Sequence, residues 1–558
     1  MSSVQIDSIL VRTYRHWLQR VAGDLPPSLH DAIAELFEAV EAGHVCIRVP
    51  LETTASWQGH AWVGRPGSYA PFVLEDSGRF YLSRYRDHEE CAARLLRERA
   101  GQGIAPADPA VLRAGLAALF PDDPEDRQRQ AALLAQFKPL TLVSGGPGTG
   151  KTTTVVKLLA LLQQQAGATP LRILLAAPTG KAAQRLVESI RASKQKLDLP
   201  PALLAGIPEE ARTLHRLLGA EGDTGRYRHG AANPLHCDLL LIDEASMIDL
   251  AMMHAVLAAL SPTARLVLLG DRDQLASVEA GSVFGDLCAS GGCSDALQQR
   301  LAPYNVKMAT GDDGHGLADC RIELTRSYRF AADSAIGALA RASREGDADA
   351  FSQVLAAGGD VARLPPAGLR EAVQKGYAPY QAAARAGDPA AAFATFLKFR
   401  VLCAHRQGPA GVEGLNALLE PASGGLYAGR PVIVRANDYA LRLFNGDIGL
   451  CLPTADGLRV FFESAPGQYR ALAPGRLPPH ESAWAMTVHQ SQGSEFDDVL
   501  LVLPETVTPV LNRPLVYTAV TRARSRFALC GSEAVLGAAL ATLPRRESGL
   551  VEKLGAPG

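Results

Sequence analysis

The chain has 558 residues, 47% of them hydrophobic and 20% charged, with a formal net charge of −2. This is the composition of a folded globular protein, and it excludes a disordered chain, a collagen-like chain and a small disulfide scaffold. The charge speaks against a protein that coats nucleic acid by bulk attraction, and the length predicts about three to five domains.

The opening stretch MSSVQIDSILVRTYRHWLQR carries Asp7 and several basic residues where a signal peptide needs an apolar core. No apolar run approaches the roughly 18 residues of a membrane helix. A cytoplasmic protein is expected. Residues 1–118 mix helical patterns (Leu29–Ala42, His88–Ala100) with short β-like runs (His44–Val49, Arg79–Tyr85). Pro106, Pro109, Pro121 and Pro124 punctuate the exit from this segment. A helix is predicted over Pro124–Phe137. Apolar runs at Leu140–Val143, Ile173–Ala177, Leu239–Ile242 and Leu266–Leu269 then alternate with helical patterns, which indicates a parallel α/β sheet.

Nine cysteines are scattered along the chain, as expected of reduced thiols. The tightest group is Cys288 and Cys293, with His315 and Cys320 downstream. Metal-ligand spacing permits a site there; small core residues in a Gly-rich connection are the preferred reading. Residues 334–397 are Ala-rich and helical in pattern. From 430 to 483 helix signals vanish. Strands are predicted at Val432–Val434, Ile448–Leu452 and Leu458–Phe462, with turns at Asn445-Gly446 and Asp456-Gly457. A small inserted β-barrel follows as an expectation. Strand-like runs return at Val499–Leu503 and Phe527–Cys530.

Gly145, Gly146, Pro147, Gly148, Thr149, Gly150, Lys151 and Thr152 fit G-x-x-x-x-G-K-[ST] between a predicted strand and a helix that opens at Thr153. Glycines let backbone N–H groups wrap phosphates, and the helix N-terminus adds its dipole. Lys151 neutralises the β- and γ-phosphates of ATP, and the Thr152 hydroxyl ligates Mg²⁺. The apolar run ending in Asp243 and Glu244 supplies a metal-holding acid, most simply Asp243, and a carboxylate, Glu244, to polarise the attacking water. Gln274, in GDRDQL, is long enough to reach the γ-phosphate. Arg329 and Arg522, far downstream, suit charge stabilisation on the transferring phosphoryl from a second domain.

These motifs resemble, in order and spacing over about residues 126–530, those of the superfamily 1 helicases. Gln128 resembles their adenine-reading glutamine. PTGKAAQR (178–185) resembles their DNA-contacting segment. In SYRF (327–330), Tyr328 resembles the tyrosine on adenine and Arg329 the arginine at the γ-phosphate. TVHQSQGSEFDDV (487–499) resembles the motif that joins DNA and nucleotide, and VYTAVTRAR (516–524) the arginine-finger motif. Residues 43–49, 79–85, 402–419 and 430–450 resemble more narrowly the RecD family, the α subunit of exodeoxyribonuclease V (RecBCD).

The resemblance implies α/β architecture. Two RecA-like P-loop cores carry a small SH3-like barrel and an N-terminal mixed α/β domain. The implied bounds are 1–118 for partner docking, 119–325 for the first core with a hairpin insertion near 216–237, and 326–429 with 484–558 for the second core. The barrel occupies 430–483. It implies a 5′→3′ DNA helicase beside a RecB-like helicase–nuclease and a RecC-like Chi-recognising subunit. The complex would act on duplex DNA ends in double-strand break repair by homologous recombination. No nuclease carboxylate group stands out in this chain. Glu495 is implied at the ribose, and Gln492 and Gly493 near the phosphates. Single-stranded DNA contacts are implied at Pro178, Thr179, Lys181, Thr213, His215, Thr487 and His489. The two histidines are otherwise satisfied structural residues, and the threonines share that alternative. Two other readings stay open: a standalone helicase, which in longer relatives carries an N-terminal extension with helix-hairpin-helix elements, and a nucleotide-binding scaffold without motor activity.

Overall fold

The computed structural model describes residues 25–555, apart from 58, 168, 223–224, 290, 312–316, 331–333, 422–423, 437, 439 and 466. The opening stretch and His315 lie outside the described residues. Two compact units emerge. The first comprises the chain up to Arg272, Ala276–Tyr328 and the residues from Arg545 on; the second comprises Asp273–Leu275 and Arg329–Pro544.

The first unit begins with a helix, Pro27–Glu41, and a small sheet of β1 (Cys46–Arg48), β2 (Val63–Gly64), β3 (Phe72–Leu74) and β4 (Arg79–Leu82), in the order β1-β4-β3-β2. Trp57, Phe72, Phe80 and Ile33 fill a core of their own. The helix Ser83–Gly101 then leaves this sheet and buries Ala92, Ala93 and Leu96 in the same cluster as Leu140, Leu240 and Leu268 of the next sheet. The N-terminal segment is thus packed into the first unit.

The main sheet holds β5 (Leu140–Gly145), β6 (Ile173–Ala177), β7 (Ala211–Thr213), β8 (Leu239–Ile242), β9 (Arg265–Gly270) and β10 (Arg321–Leu324). Its order is β10-β5-β9-β8-β6-β7 and every pairing is parallel. Successive side chains point to opposite faces. Leu140, Leu142, Leu240 and Leu266 accordingly enter one core, while Val143, Leu239, Leu241 and Val267 enter another beneath the helices Arg127–Phe137 and Lys151–Ala166. Burial on both faces explains why these strands read as unbroken apolar runs.

The second unit has β11 (Val361–Leu364) and β12 (Phe399–Cys403). An insertion follows, with β13 (Pro431–Val434), β14 (Ile448–Thr454), β15 (Gly457–Ala465), β16 (Gln468–Leu472) and β17 (His480–Ser482). β18 (Ala485–Thr487), β19 (Phe496–Val502) and β20 (Ala523–Cys530) complete the unit. The core sheet is parallel, in the order β11-β20-β19-β12-β18. The insertion is antiparallel, in the order β16-β15-β14-β13-β17. The expected β insertion is present; the pairings among the described residues form an open five-stranded sheet, and no barrel closure is among them. The β14–β15 hairpin turns at Ala455-Asp456, one residue earlier than the expected Asp456-Gly457, because Thr454 already pairs with Gly457.

A larger difference lies at the C-terminus. Residues 545–555 do not continue the second core; they belong to the first unit. Leu550 and Leu554 are buried in its core. Arg546 donates to the carbonyls of Ser277, Glu279 and Gly281. Lys553 meets the fully buried Glu89 at 2.7 Å. Among the described residues, no helix is long and apolar enough to cross a membrane.

Candidate nucleotide site and nucleic-acid interface

β5 delivers the chain to the Gly-rich loop, and the helix Lys151–Ala166 receives it. Gly148 and Gly150 have φ of 76° and 79°, a region that side chains disfavour. A Cβ at Gly150 would lie 2.4 Å from Gln128 Nε2 and 3.6 Å from Tyr328 Cδ2. Gln128 Nε2 donates to the Thr149 carbonyl at 3.3 Å, and the Tyr328 amide to the Gly148 carbonyl at 2.7 Å. Two residues 200 positions apart in the chain thus wall the same loop. Beside them opens a cavity of about 470 Å³, lined by Gln128, Thr149, Met308, Arg326 and Tyr328 among others. Tyr328 is 57% exposed, and the Arg326 guanidinium lies 5.1 Å from its ring centroid. An exposed ring and an amide at a cavity of this size suit a planar base. Lys151 Nζ donates to the carbonyls of Gly145 and Gly146 at 2.5 and 3.2 Å, so its charge lies over the loop.

β9 separates β5 from β8. Ser144 stands opposite Gly270, and Ile242 opposite Leu268. Gly145 and Asp243 therefore leave the sheet at one carboxyl edge, where open α/β sheets hold ligands. Asp243 Oδ1 accepts from the Glu244 amide at 2.9 Å. Burial, and then the charge of Glu244, push the Asp243 carboxyl up, while Lys151 opposes them. Glu244 has φ of 54°, a strained left-handed conformation for a non-glycine residue, which turns the chain sharply into Ala245–Met247.

β6 and β7 end side by side, with Ala177 opposite Thr213. Pro178, Thr179 and Lys181 are thereby brought beside Thr213 and His215. Both threonine hydroxyls already cap helices: Thr179 Oγ1 accepts from Ala182 N at 3.2 Å and Thr213 Oγ1 from Arg216 N at 3.4 Å. Their first use is local, because helix N-termini need side-chain acceptors. His215 is exposed rather than buried. Its ring lies 6.3 Å from that of Tyr227, in a stretch folded back by the Glu221 N to Arg226 O and Arg228 N to Gly219 O bonds. These bonds lie within the 216–237 stretch.

In the second unit, Thr487 is buried and forms a tight turn with Gln490, whose amide donates to Thr487 Oγ1 at 3.2 Å. His489 follows in the short turn His489–Ser491. Asp273–Leu275 packs into this unit: Leu275 N donates to Thr518 Oγ1 at 3.0 Å and Gln492 Nε2 to Leu275 O at 2.9 Å. Arg522, 2% exposed, donates from Nη2 to Gln274 Oε1 at 3.0 Å and from Nη1 to Ser494 O at 3.0 Å. Gly493, with φ of 69°, makes the turn between Gln492 and Ser494.

Glu495, implied at the ribose by the resemblance, has its oxygens beside two arginines. Oε1 pairs with Arg329, and Oε2 with Arg524 at 3.0 Å. Thr518 and Arg524 escaped the sequence reading as participants. Thr518 stands four positions before Arg522, on the same helical face, and that spacing was the available signal. Cys288 and Cys320 are buried in one core and Cys293 in the other, all as free thiols. Among the described residues no cluster of three or more metal-ligating side chains occurs.

The AAA domain family matches residues 128–280, and the UvrD-like helicase C-terminal domain family matches residues 482–530. The RecBCD enzyme subunit RecD of Mycolicibacterium smegmatis is 41% identical over 97% of this chain and 97% of that one. The chain belongs to the RecD family. A RecD subunit from Mycobacterium tuberculosis is 38% identical, covering 97% of this chain and 94% of its own. An ATP-dependent RecD2 DNA helicase of Deinococcus radiodurans is 33% identical and spans 86% of this chain and 59% of that one. Among solved structures, a Pif1 helicase from Bacteroides with ADP-AlF3 and ssDNA aligns with TM-score 0.41 at 17% identity, covering 76% of this chain and 95% of that one. RecD-family membership agrees with the parallel sheet found in each unit.

Proposed function

We propose that this chain is the 5′→3′ motor of a RecBCD-type complex, working in the cytoplasm on duplex DNA ends beside RecB-like and RecC-like subunits. It is an ATP-dependent DNA helicase. The observation that carries the reading is the convergence of Gln128, Tyr328 and the Gly-rich loop on one cavity, at the sheet edge that also presents Asp243.

In the first unit, Tyr328 and Gln128 hold the adenine. Lys151 leaves its loop carbonyls for the β- and γ-phosphates, and the loop amides wrap them. Glu244 orients and deprotonates the attacking water. Thr152 and Asp243 fit Mg²⁺: a buried carboxyl crowded by a second acid is what a divalent cation relieves. The bound ion neutralises phosphate charge. In the second unit, Arg329 and Arg522 stabilise charge on the transferring phosphoryl. The Gln274–Arg522 bond gives that arginine a report of the nucleotide. Pro178, Thr179, Lys181, Thr213, His215, Thr487 and His489 lie along the DNA path, contacting backbone rather than bases.

Lys151→Gln should abolish DNA-stimulated ATP hydrolysis while leaving the fold intact by circular dichroism; persistent hydrolysis would sink the motor reading. Co-purification from the native cell, followed by unwinding of 5′- and 3′-tailed duplexes, tests partners and polarity together. A chain that hydrolyses ATP but moves on neither tail would favour the scaffold reading. Recovery without a helicase–nuclease chain would favour the standalone one.

A further inference from the structure

We propose, on the ATPase reading above, that residues 306–309 set the base specificity of the nucleotide cavity, and that Gln130 and Gln298 are the positioning residues that hold them in place.

The cavity beside the Gly-rich loop is walled from three places in the chain. One side is the start of the helix Arg127–Phe137, another is the stretch that ends in Tyr328, and the third is Lys307, Met308 and Ala309. That third side belongs to no helix or strand. Regular pairing therefore does not place it, and its backbone groups need other partners. Gln130, 1% exposed, donates from Nε2 to the Lys307 carbonyl at 2.8 Å and to the Pro124 carbonyl at 3.2 Å. Gln298, in the helix Asp295–Leu301, accepts from the Met308 amide at 3.0 Å and donates to the Val306 carbonyl at 3.2 Å. The Lys307 amide donates to the Pro124 carbonyl at 3.0 Å. Four successive backbone groups, from the Val306 carbonyl to the Met308 amide, are thus engaged, three of them by the two glutamines. Gln128 carries the adenine role that the resemblance implies. Gln130, two positions further along the same helix, gives its amide to the third side.

Gln298 uses both ends of its amide. Gln130 uses only the donor: among the described residues its buried Oε1 makes no hydrogen bond. An unpaired buried oxygen carries a desolvation penalty that an apolar side chain of the same size would avoid. The donor to Lys307 is what an apolar side chain could not supply. Met308 is 5% exposed, and with Ala309 it lines the cavity with apolar atoms. An unbranched thioether packs well against a flat ring. Guanine carries a 2-amino group that adenine lacks, and a 6-carbonyl where adenine has an amine. A wall held at fixed depth discriminates between them by shape, and a wall free to drift outward does not. Loosening it removes contact with the base in the ground state and the transition state alike, so it raises KM and leaves kcat.

The test is steady-state hydrolysis of ATP and GTP by the full chain, with DNA present and thermal unfolding as the folding control. Gln130→Met and Gln298→Met each remove one clamp at similar volume. Gln163→Met is the matched control: Gln163 Nε2 donates to the Leu171 and Gly206 carbonyls at 3.1 and 2.7 Å in the same unit, and its side chain does not line the cavity. Both wall variants should raise KM for ATP about tenfold at unchanged kcat and reduce the ATP to GTP ratio of kcat/KM about fivefold or more. Gln163→Met should leave KM and that ratio at wild-type values. Folded wall variants with unchanged KM and ratio overturn the proposal. So does an equal change in Gln163→Met, which would make the effect one of general stability. A loss confined to kcat overturns it as well. Should Gln130→Met not fold, Gln298→Met decides alone, since it releases the same segment from the other helix. A wild-type chain that hydrolyses ATP without preference over GTP overturns the specificity role, whereas one that hydrolyses neither strikes the ATPase reading itself.

Discussion

Asp286 lies in the short helix Val283–Leu287 and receives the Ser548 hydroxyl at 3.2 Å. Burial pushes its carboxyl from 3.8 to about 7, with Glu89 adding to the rise and Ser548 and Arg546 opposing it. Between those values the folded protein keeps a proton that the unfolded chain has released. The stabilising contribution is therefore complete below 3.8 and is lost as pH rises toward about 7. Asp286→Asn should flatten the fall in Tm between about pH 4 and about pH 7 and unfold at higher temperature than wild type at the upper end. Parallel Tm profiles for the two proteins would contradict this. At the nucleotide loop, Gly150→Ala places a methyl against Gln128 in a left-handed backbone, so KM for ATP should rise by about tenfold or more. Residues of this kind were legible because phosphate chemistry imposes fixed short spacings. The Arg329–Glu495 pair was not, since its members stand 166 positions apart and either alone reads as a solvated surface charge.

Among elements, the central strands β5, β6, β8 and β9 were visible as apolar runs because both their faces are covered. The edge strands were not. β7 and β10 are only three and four residues long. β11 has one buried residue in four and lies inside an Ala-rich stretch whose pattern is helical. The most consequential omission was the helix Leu550–Gly555. Six residues give too short a pattern to show which core they join. Its Lys553 donates to Glu89, whose other oxygen takes the Gly549 amide at 2.8 Å. Lys553→Met would leave a fully buried carboxylate without that cation and should lower stability by about 3 kcal/mol, read by urea denaturation. Adding Glu89→Gln should restore part of the loss; an equal or larger loss in the double variant would show that the pair itself is not the cause.

For the whole molecule, the net charge of −2 excludes only a protein that coats nucleic acid by bulk attraction. A motor that releases its track every cycle needs a narrow lane of contacts rather than a basic coat. Of the seven proposed DNA residues only Lys181 carries a fixed charge. Binding to single strands should therefore depend weakly on salt: at about −0.7 per neutralised phosphate, one such charge sets a slope of log K against log salt no steeper than about −1. A much steeper slope would reveal a basic surface elsewhere on the chain. The return of residues 545–555 to the first unit has a further consequence, in the order of biosynthesis. Domains generally fold as they leave the ribosome, N-terminal first. Here the N-terminal unit lacks Arg546, Leu550 and Lys553 until the second unit has been made in full. The first half of the protein to be translated is thus the last to be finished. Nascent chains stalled before residue 545 should hold a protease-resistant second unit and a first unit that is still susceptible.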